Sequence, residues 1–257
     1  MIAVARDWQW RLGSIGVLAA LIFAWHEIAE LKLVSPVFLP SPGRAVTALW
    51  RGLTQGALTA KLIGTLGHMF GGWTLASIIG VMLGAAIGSS KVLRAYLAPM
   101  LEFLRPLPAS AVIPVAIAIF GYSGAMALGV IAFGTLWPVL LATIHGFAAV
   151  EPRLHEVART LGLNNWQTAF KIALPSAMPD ILAGLRLGLT VSLILAVVCE
   201  MIAGLNGLGQ WVLLSARAYR SADLFAGVIL LGAIGVTANS VLDLIERRAL
   251  AWRDKHR

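Results

Sequence analysis

Polar and charged residues in this chain stand between long apolar blocks. Residues 62–89 contain no Asp, Glu, Lys or Arg, and neither do residues 106–150. A transmembrane helix needs about 20 mostly apolar residues. Each block is therefore long enough to cross a bilayer, and the pattern predicts an all-α polytopic membrane protein.

The apolar blocks predict about six transmembrane helices within one domain over residues 1–257. Residues 106–150 are too long for one helix, and the Gly-Tyr-Ser-Gly run at 121–124 separates two spans there. The first span is the weakest, because His26, Glu27 and Glu30 crowd its end, and whether it crosses fully stays open. The predicted spans cover about 12–29, 62–89, 97–120, 124–147, 179–203 and 224–245.

Composition and charge support a membrane location. Hydrophobic residues make up 59% of the chain and charged residues 12%, against about 25% charged in soluble domains. The net charge is +8, but the basic residues lie between apolar blocks, as in the positive bias of cytoplasmic loops. This placement argues against a nucleic-acid partner.

The basic residues also predict the orientation. With the N-terminus inside, twelve lie in inner segments and six in outer ones. The inner set is Arg6, Arg11, Lys91, Arg94, Arg153, Arg159, Lys171, Arg247, Arg248, Arg253, Lys255 and Arg257. The outer set is Lys32, Arg44, Arg51, Lys61, Arg217 and Arg220. We expect a bacterial inner-membrane protein with both termini in the cytoplasm.

Two further patterns predict helix packing. Ser41 and Pro42 fit the start of a helix, whose apolar residues recur at helical spacing. This amphipathic helix would lie on the outer membrane face or pack on the bundle. In the second span small residues recur every fourth position, which lets another helix approach closely. They are Gly72, Ala76, Gly80, Gly84 and Gly88.

The segment at about 148–175 predicts a helix, a sharp turn and a second helix. Pro152 fits the first turn of a helix, and Gly162 fits the left-handed position just past its end. Asn164 or Asn165 would cap the second helix, which Pro175 would break before the fifth span. One face of the first helix is apolar. It carries Leu154, Val157, Ala158 and Leu161.

The spacing within this segment is specific. Ala158 follows Glu156 by two residues, Gly162 follows by six, and Ile172 stands ten beyond the glycine, before Leu174-Pro175. This spacing resembles the EAA loop of the permease subunits of binding-protein-dependent ABC importers, with valine at 157 where the motif usually has alanine. Three more segments resemble the nitrate, sulfonate and taurine branch. They are Leu39-Pro40-Ser41-Pro42, Arg105-Pro106-Leu107-Pro108, and Glu200-Met201 followed by Gly207-Leu208-Gly209.

The resemblance implies a cytoplasmic coupling helix that docks into a groove on a separate ATPase. The coupling residues would be Leu154, Glu156, Val157, Ala158, Arg159, Leu161 and Gly162. It also implies two ATPase subunits holding ATP and Mg, a periplasmic binding protein and a second copy of this chain, although a heterodimer stays open. ATP binding would close the ATPases, move the coupling helices and open the path outward. The cargo would be a small anion such as a sulfonate, taurine or nitrate.

Ionisable groups inside the fifth span are costly in lipid and mark a pathway or a bond to another helix. Arg186 and Glu200 are fourteen residues apart, about 21 Å along a helix, so they cannot pair within it. Both are pathway candidates, and the structural alternative stays open. His68 and His145 are interpreted as satisfied bundle histidines.

Enzyme chemistry finds no support in the sequence. Residues 84–91, GAAIGSSK, depart from the phosphate-loop pattern because Val92 follows Lys91. The histidines lack ligand spacing, and the serines lack a nucleophile setting. We therefore expect no metal, no bound cofactor and no ATPase site. A secondary transporter, or an ABC importer for a different small solute, is the alternative.

Overall fold

The computed structural model describes the backbone of residues 2–251 and the side chains of residues 13–251 except Ile15 and His155. The side chains of Arg6 and Arg11 and the residues Arg253, Lys255 and Arg257 lie outside that description. Within the described range the ordered elements are all helical, which confirms the predicted fold class. The helices are α1 Ile2–Glu30, α2 Pro42–Thr54, α3 Ala57–Ser89, α4 Lys91–Leu104, α5 Ile113–Phe120, α6 Gly124–Ala148, α7 Pro152–Thr160, α8 Asn165–Thr168, α9 Leu174–Ala203, α10 Leu208–Arg217 and α11 Ser221–Ala249.

Four helical segments are long and apolar enough to cross a membrane. They are α3, α6, the continuous helix Asn165–Ala203 and α11. A fifth crossing results if α4 and the segment Ala109–Phe120 together count as one bent span. The helix α1 is not among these candidates, so the predicted number of six spans is not confirmed. The first span stays a prediction.

The third predicted span is not one straight helix. The segments Lys91–Leu104 and Ala109–Phe120 are bent by 79° at the intervening residues. Pro106 and Pro108 lie at this bend. Proline has no N–H to continue the hydrogen-bond ladder, and it disfavours a helical backbone at the residue before it. The span predicted over about residues 97–120 is therefore made of two helical segments joined at a bend.

The chain divides into two compact units, and the single domain stays a prediction. One unit comprises Met1–Lys61 and Trp211–Leu231. In it the Trp25 indole N–H donates to the Pro40 carbonyl at 2.9 Å. The helix predicted after Ser41 is confirmed as α2, with Pro42 in its first turn, although the Ser41 side chain forms no cap hydrogen bond. Its apolar residues differ in exposure, since Ala45 is buried and Trp50 is 70% exposed.

The second unit comprises Leu62–Gln210 and Gly232–Arg257, and in it α6 packs against α3 and α9. A Cβ added to Gly84 would stand 2.6 Å from the Cβ of Thr143 on α6. On the opposite side, a Cβ at Gly184 of α9 would stand 2.7 Å from the Cβ of Ala142. Such separations are too short for real side chains. The close helix approach predicted from the small-residue stripe is therefore confirmed, and α6 is the partner.

Large apolar side chains cover much of the helix surface. Met82, Ile119 and Val236 are each more than two-thirds exposed. Soluble monomers rarely expose apolar patches on this scale. In a membrane these side chains face hydrocarbon, while the helical backbone satisfies its own polar groups.

Candidate functional site

The predicted first helix of the loop is α7, and its end is a Schellman motif. Gly162 has φ +66°, in the left-handed region that favours glycine. The Leu163 N–H donates to the Ala158 carbonyl at 2.9 Å, and the Gly162 N–H donates to the Arg159 carbonyl at 3.0 Å. These two bonds satisfy carbonyls that the end of a helix leaves free. The turn predicted at Gly162 is thus confirmed.

The apolar face of α7 is divided into an inner and an outer part. Ala158 is 2% exposed, and Leu154 packs against a buried cluster that includes Phe147. Val157 and Leu161 are 49% and 67% exposed. The small size of Ala158 therefore has a cause within this chain, whereas Val157 and Leu161 are available to a partner.

The second helix of the loop begins with the predicted cap. Asn164 and Gln167 form a capping box, in which the Gln167 N–H donates to the Asn164 side chain at 2.8 Å and the Asn164 N–H donates to the Gln167 side chain at 3.0 Å. Each side chain satisfies an N–H that the first helical turn leaves free.

The break predicted at Pro175 is wrong. The helix runs without interruption from Asn165 to Ala203. A π-helical turn at Ala169–Ala173 precedes α9, and Pro175 lies in the first turn of α9. Proline is tolerated in a first turn because its missing N–H is not needed there. The change of hydrogen-bond register at the π turn gives Pro175 this first-turn position within a continuous helix.

Two aromatic side chains enlarge the exposed apolar surface of the loop. Trp166 and Phe170 are 75% and 60% exposed, and their rings stack with centroids 5.9 Å apart. Together with Val157 and Leu161 they form what we call the loop patch. Helical spacing places the two aromatics on the second helix, but the sequence alone indicates no contact between them and a partner.

A buried polar cluster surrounds Glu200, which is fully buried. One carboxylate oxygen accepts the Thr65 hydroxyl and the Gly209 N–H, both at 2.9 Å. The other lies 2.9 Å from Nδ1 of His68. The Thr65 hydroxyl oxygen also accepts the Leu208 N–H at 2.8 Å. The cluster thus joins α3, α9 and the first turn of α10, where Glu200 and Thr65 satisfy free helical N–H groups.

Glycine makes room for this cluster. A Cβ at Gly207 would collide with the Glu200 carboxyl group, and a Cβ at Gly209 would stand 3.0 Å from the Glu200 Cβ. These glycines beside Glu200 are evident in the sequence, whereas its partners Thr65 and His68 are not. Their spacing of three residues on one face of α3 is the signal that could have indicated them.

Arg186 forms a second polar network. Its guanidinium donates to Asp243 at 2.8 Å and also to Glu246, both on α11. Asp243 in turn pairs with Arg247 at 2.9 Å. These side chains are only partly buried. Arg186 and Glu200 therefore both bond to other helices, and their role in a pathway stays a prediction.

Comparison with known proteins identifies the family. Residues 76–250 match the family described as binding-protein-dependent transport system inner membrane component. The putative aliphatic sulfonates transport permease protein SsuC of Bacillus subtilis (strain 168) is 33% identical over 98% of this chain and 91% of its own length. The taurine transport system permease protein TauC of Escherichia coli (strain K12) is 31% identical over 95% and 93%. An inward-facing structure of the MetNI methionine ABC transporter matches the fold with a TM-score of 0.68, at 18% identity over 76% of this chain and 97% of that chain.

The chain belongs to the family of binding-protein-dependent transport system inner membrane components. It is a membrane-spanning permease subunit of an ABC importer, as the resemblance of the loop to the EAA motif implies. This outcome favours the importer over a secondary transporter. Membership also implies partners of two general kinds, an ATPase and a substrate-binding protein.

Proposed function

We propose that this chain forms the membrane path of an importer for small anions, with an aliphatic sulfonate or taurine as the first candidates. The cargoes named for the two relatives, an aliphatic sulfonate and taurine, support this proposal. The chain acts as one permease domain over residues 1–257 and pairs with a second copy. Two ATPase subunits bind ATP and Mg and hydrolyse the ATP, so this chain needs no ATPase site of its own.

The observation that carries the proposed coupling is the loop patch. Its four apolar side chains are exposed, two before the turn at Gly162 and two on the helix that follows it. Burying a large apolar side chain stabilises an association by about 1.5–3 kcal/mol. A loop that binds no partner is expected to be polar and to expose no large apolar side chains of this kind. We assign this surface to the groove of the ATPase, with Glu156 and Arg159 at its polar edge.

The remaining coupling residues position the patch. Leu154 and Ala158 anchor α7 to the helix bundle, while Gly162 sets the direction in which the chain leaves α7. Movement of the ATPase would therefore reach the membrane helices through packed contacts. Pathway roles for Glu200 and Arg186 belong to the same proposal, because ionisable groups within spans commonly line a water-filled path.

The coupling proposal is tested by charging the loop patch. Leu161→Asp and Val157→Asp should each abolish most capture of the ATPase subunit by the purified permease. Arg153→Ala, an exposed change on the same helix, should leave capture unchanged. Retained capture and retained ATP-driven uptake in vesicles with both aspartate variants would remove this surface from the ATPase interface.

The orientation is tested separately with reporter fusions. Fusions within residues 151–171 and at the C-terminus should report cytoplasm, and fusions within residues 32–61 and 204–221 should report the periplasm. A periplasmic signal from the C-terminus would contradict the orientation with both termini inside.

The cargo is tested with the binding protein, which is the partner that selects it. The cognate binding protein should show a thermal shift with a panel of sulfonates, taurine or nitrate, and the responding anion should be the one taken up by vesicles that contain the whole importer. A response to a neutral solute alone would contradict the proposed cargo.

A further inference from the structure

A cavity of about 820 Å³ lies beside α7 in the second unit. Its wall includes three cationic side chains, Lys91, Arg94 and Arg159, and one carboxylate, Glu156. Among the described side chains, none of the three cations forms an ion pair. The cavity therefore carries an excess of two positive charges that no described group of this chain neutralises.

The rest of the wall is partly polar, at Ser89, Asn165 and Thr168, and partly apolar. Phe147, Val150 and Ala173 line the cavity, and each is buried in the core cluster beneath it. A site for a fully hydrated ion does not need such a floor. Cations above an apolar floor instead match a ligand that has an anionic end and an apolar end.

The position of the cavity identifies the ligand class. Its wall includes Ser89, the last residue of α3, and Ala148, the last residue of α6. Both helices are long and apolar enough to cross the membrane, and at 33 and 25 residues they exceed the about 20 residues that a span needs, so their ends lie at or beyond the lipid headgroups. Basic pockets between transmembrane helices at this level bind anionic headgroups.

We propose that this cavity binds the headgroup of an anionic phospholipid, with its phosphate held by Lys91 and Arg94. The cavity is large enough for a phosphoglycerol group, and the glycerol backbone would contact the apolar floor. Because α7 forms one wall, a bound lipid would brace the coupling loop against the ends of α3 and α6. The binding itself depends neither on the cargo nor on the docking of an ATPase.

The test titrates the full-length permease in detergent with dioleoylphosphatidylglycerol and follows the lipid-bound species by native mass spectrometry. Dioleoylphosphatidylcholine, with the same acyl chains, is the reference. The wild type should bind one phosphatidylglycerol at least about tenfold more tightly than phosphatidylcholine. Lys91→Gln and Arg94→Gln should each weaken that binding about fivefold, the effect of about 1 kcal/mol per basic residue near a charged surface.

Matched control variants distinguish lipid binding at this cavity from a general effect of positive charge and from misfolding. Arg248→Gln removes one exposed positive charge from a residue that does not line the cavity, and it should leave lipid binding unchanged. Lys91→Arg and Arg94→Lys keep the charge and should retain tight binding.

Several results would overturn the proposal. Equal affinity for the two lipids would do so, as would glutamine variants that bind phosphatidylglycerol like the wild type. Displacement of the lipid by equimolar glycerol 3-phosphate or inorganic phosphate would assign the cavity to a soluble anion. Loss of ATPase capture with unchanged lipid binding in the glutamine variants would assign it to the ATPase interface.

Discussion

Removal of the Glu200 carboxylate should loosen the junction of α3, α9 and α10. In Glu200→Ala the Gly209 N–H and the Thr65 hydroxyl lose their acceptor inside the protein, whereas His68 is partly exposed and can reach water. An unsatisfied buried donor costs about 1–3 kcal/mol. Two such donors give a loss of about 2–6 kcal/mol, for which we take about 3 kcal/mol.

Glu200→Gln should be much milder. The amide oxygen can accept from both Thr65 and Gly209, and the amide nitrogen then faces Nδ1 of His68, which can accept in its other tautomer. We expect a loss of about 1 kcal/mol or less, the range of one ordinary hydrogen bond.

Cys199 is a built-in reporter for this comparison. It is the only cysteine in the sequence, it is buried, and it precedes Glu200 in the chain. Its maleimide labelling under native conditions follows the population of locally open molecules. A loss of about 3 kcal/mol should raise the labelling rate about 100-fold, since about 1.4 kcal/mol corresponds to a factor of ten. The rate should rise about fivefold or less in Glu200→Gln.

The exposed carboxylate of Glu102 provides the control, and Glu102→Ala should label like the wild type. Labelling of Glu200→Ala at the wild-type rate would refute the reasoning, because the cluster would then not hold the junction. Uptake adds a second distinction. Glu200→Gln with slow labelling but lost uptake would support a pathway role, and normal uptake would remove Glu200 from the transport path.

Three further predictions concern glycine and arginine positions. Gly84→Ala should lower the unfolding temperature, because its Cβ presses on Thr143, an overpacking worth about 1–3 kcal/mol; Gly67→Ala on the same helix meets open space and should raise it slightly. Gly162→Val should cost about 1–2 kcal/mol at the turn and lower ATP-driven uptake in vesicles, whereas Gly162→Asn, which tolerates the left-handed region, should retain most uptake. Arg186→Leu should cost about 1 kcal/mol in thermal unfolding, the range of partly exposed ion pairs. Lost uptake without any loss of stability would favour a pathway role for Arg186.

Local signals explain what the sequence predicted well. The start of α7 at Pro152, its end at Gly162 and the cap at Asn164 depend on backbone conformation and hydrogen bonds within a few residues. The residues that determine such features lie next to them in the sequence, so spacing alone predicts them. The stripe of glycines on α3 is local in the same sense, because it indicates a close helix approach without naming the partner.

Non-local contacts explain what the sequence could not predict. Thr65 and His68 precede Glu200 by 135 and 132 residues, so their spacing marks a polar face of α3 but does not indicate which buried carboxylate they contact. The bend near Pro106 has a different cause. Mean hydropathy stays high across it, so a pattern of apolar residues predicts a span while the backbone turns through 79°. The continuous helix through Pro175 likewise depends on a π turn that hydrophobic periodicity does not reveal.

We propose that the continuous helix links the two polar networks. The segment Asn165–Ala203 begins in the coupling loop and carries Arg186 and Glu200 about 21 Å apart. Arg186 bonds to α11, and Glu200 bonds to α3 and the start of α10. Displacement of the loop by an ATPase would therefore act on both networks through one continuous helix. The π turn at Ala169–Ala173 is the place where this helix can bend. Replacing either network with apolar residues should leave ATPase capture intact but weaken the coupling of hydrolysis to uptake. Replacing the loop patch should abolish capture itself.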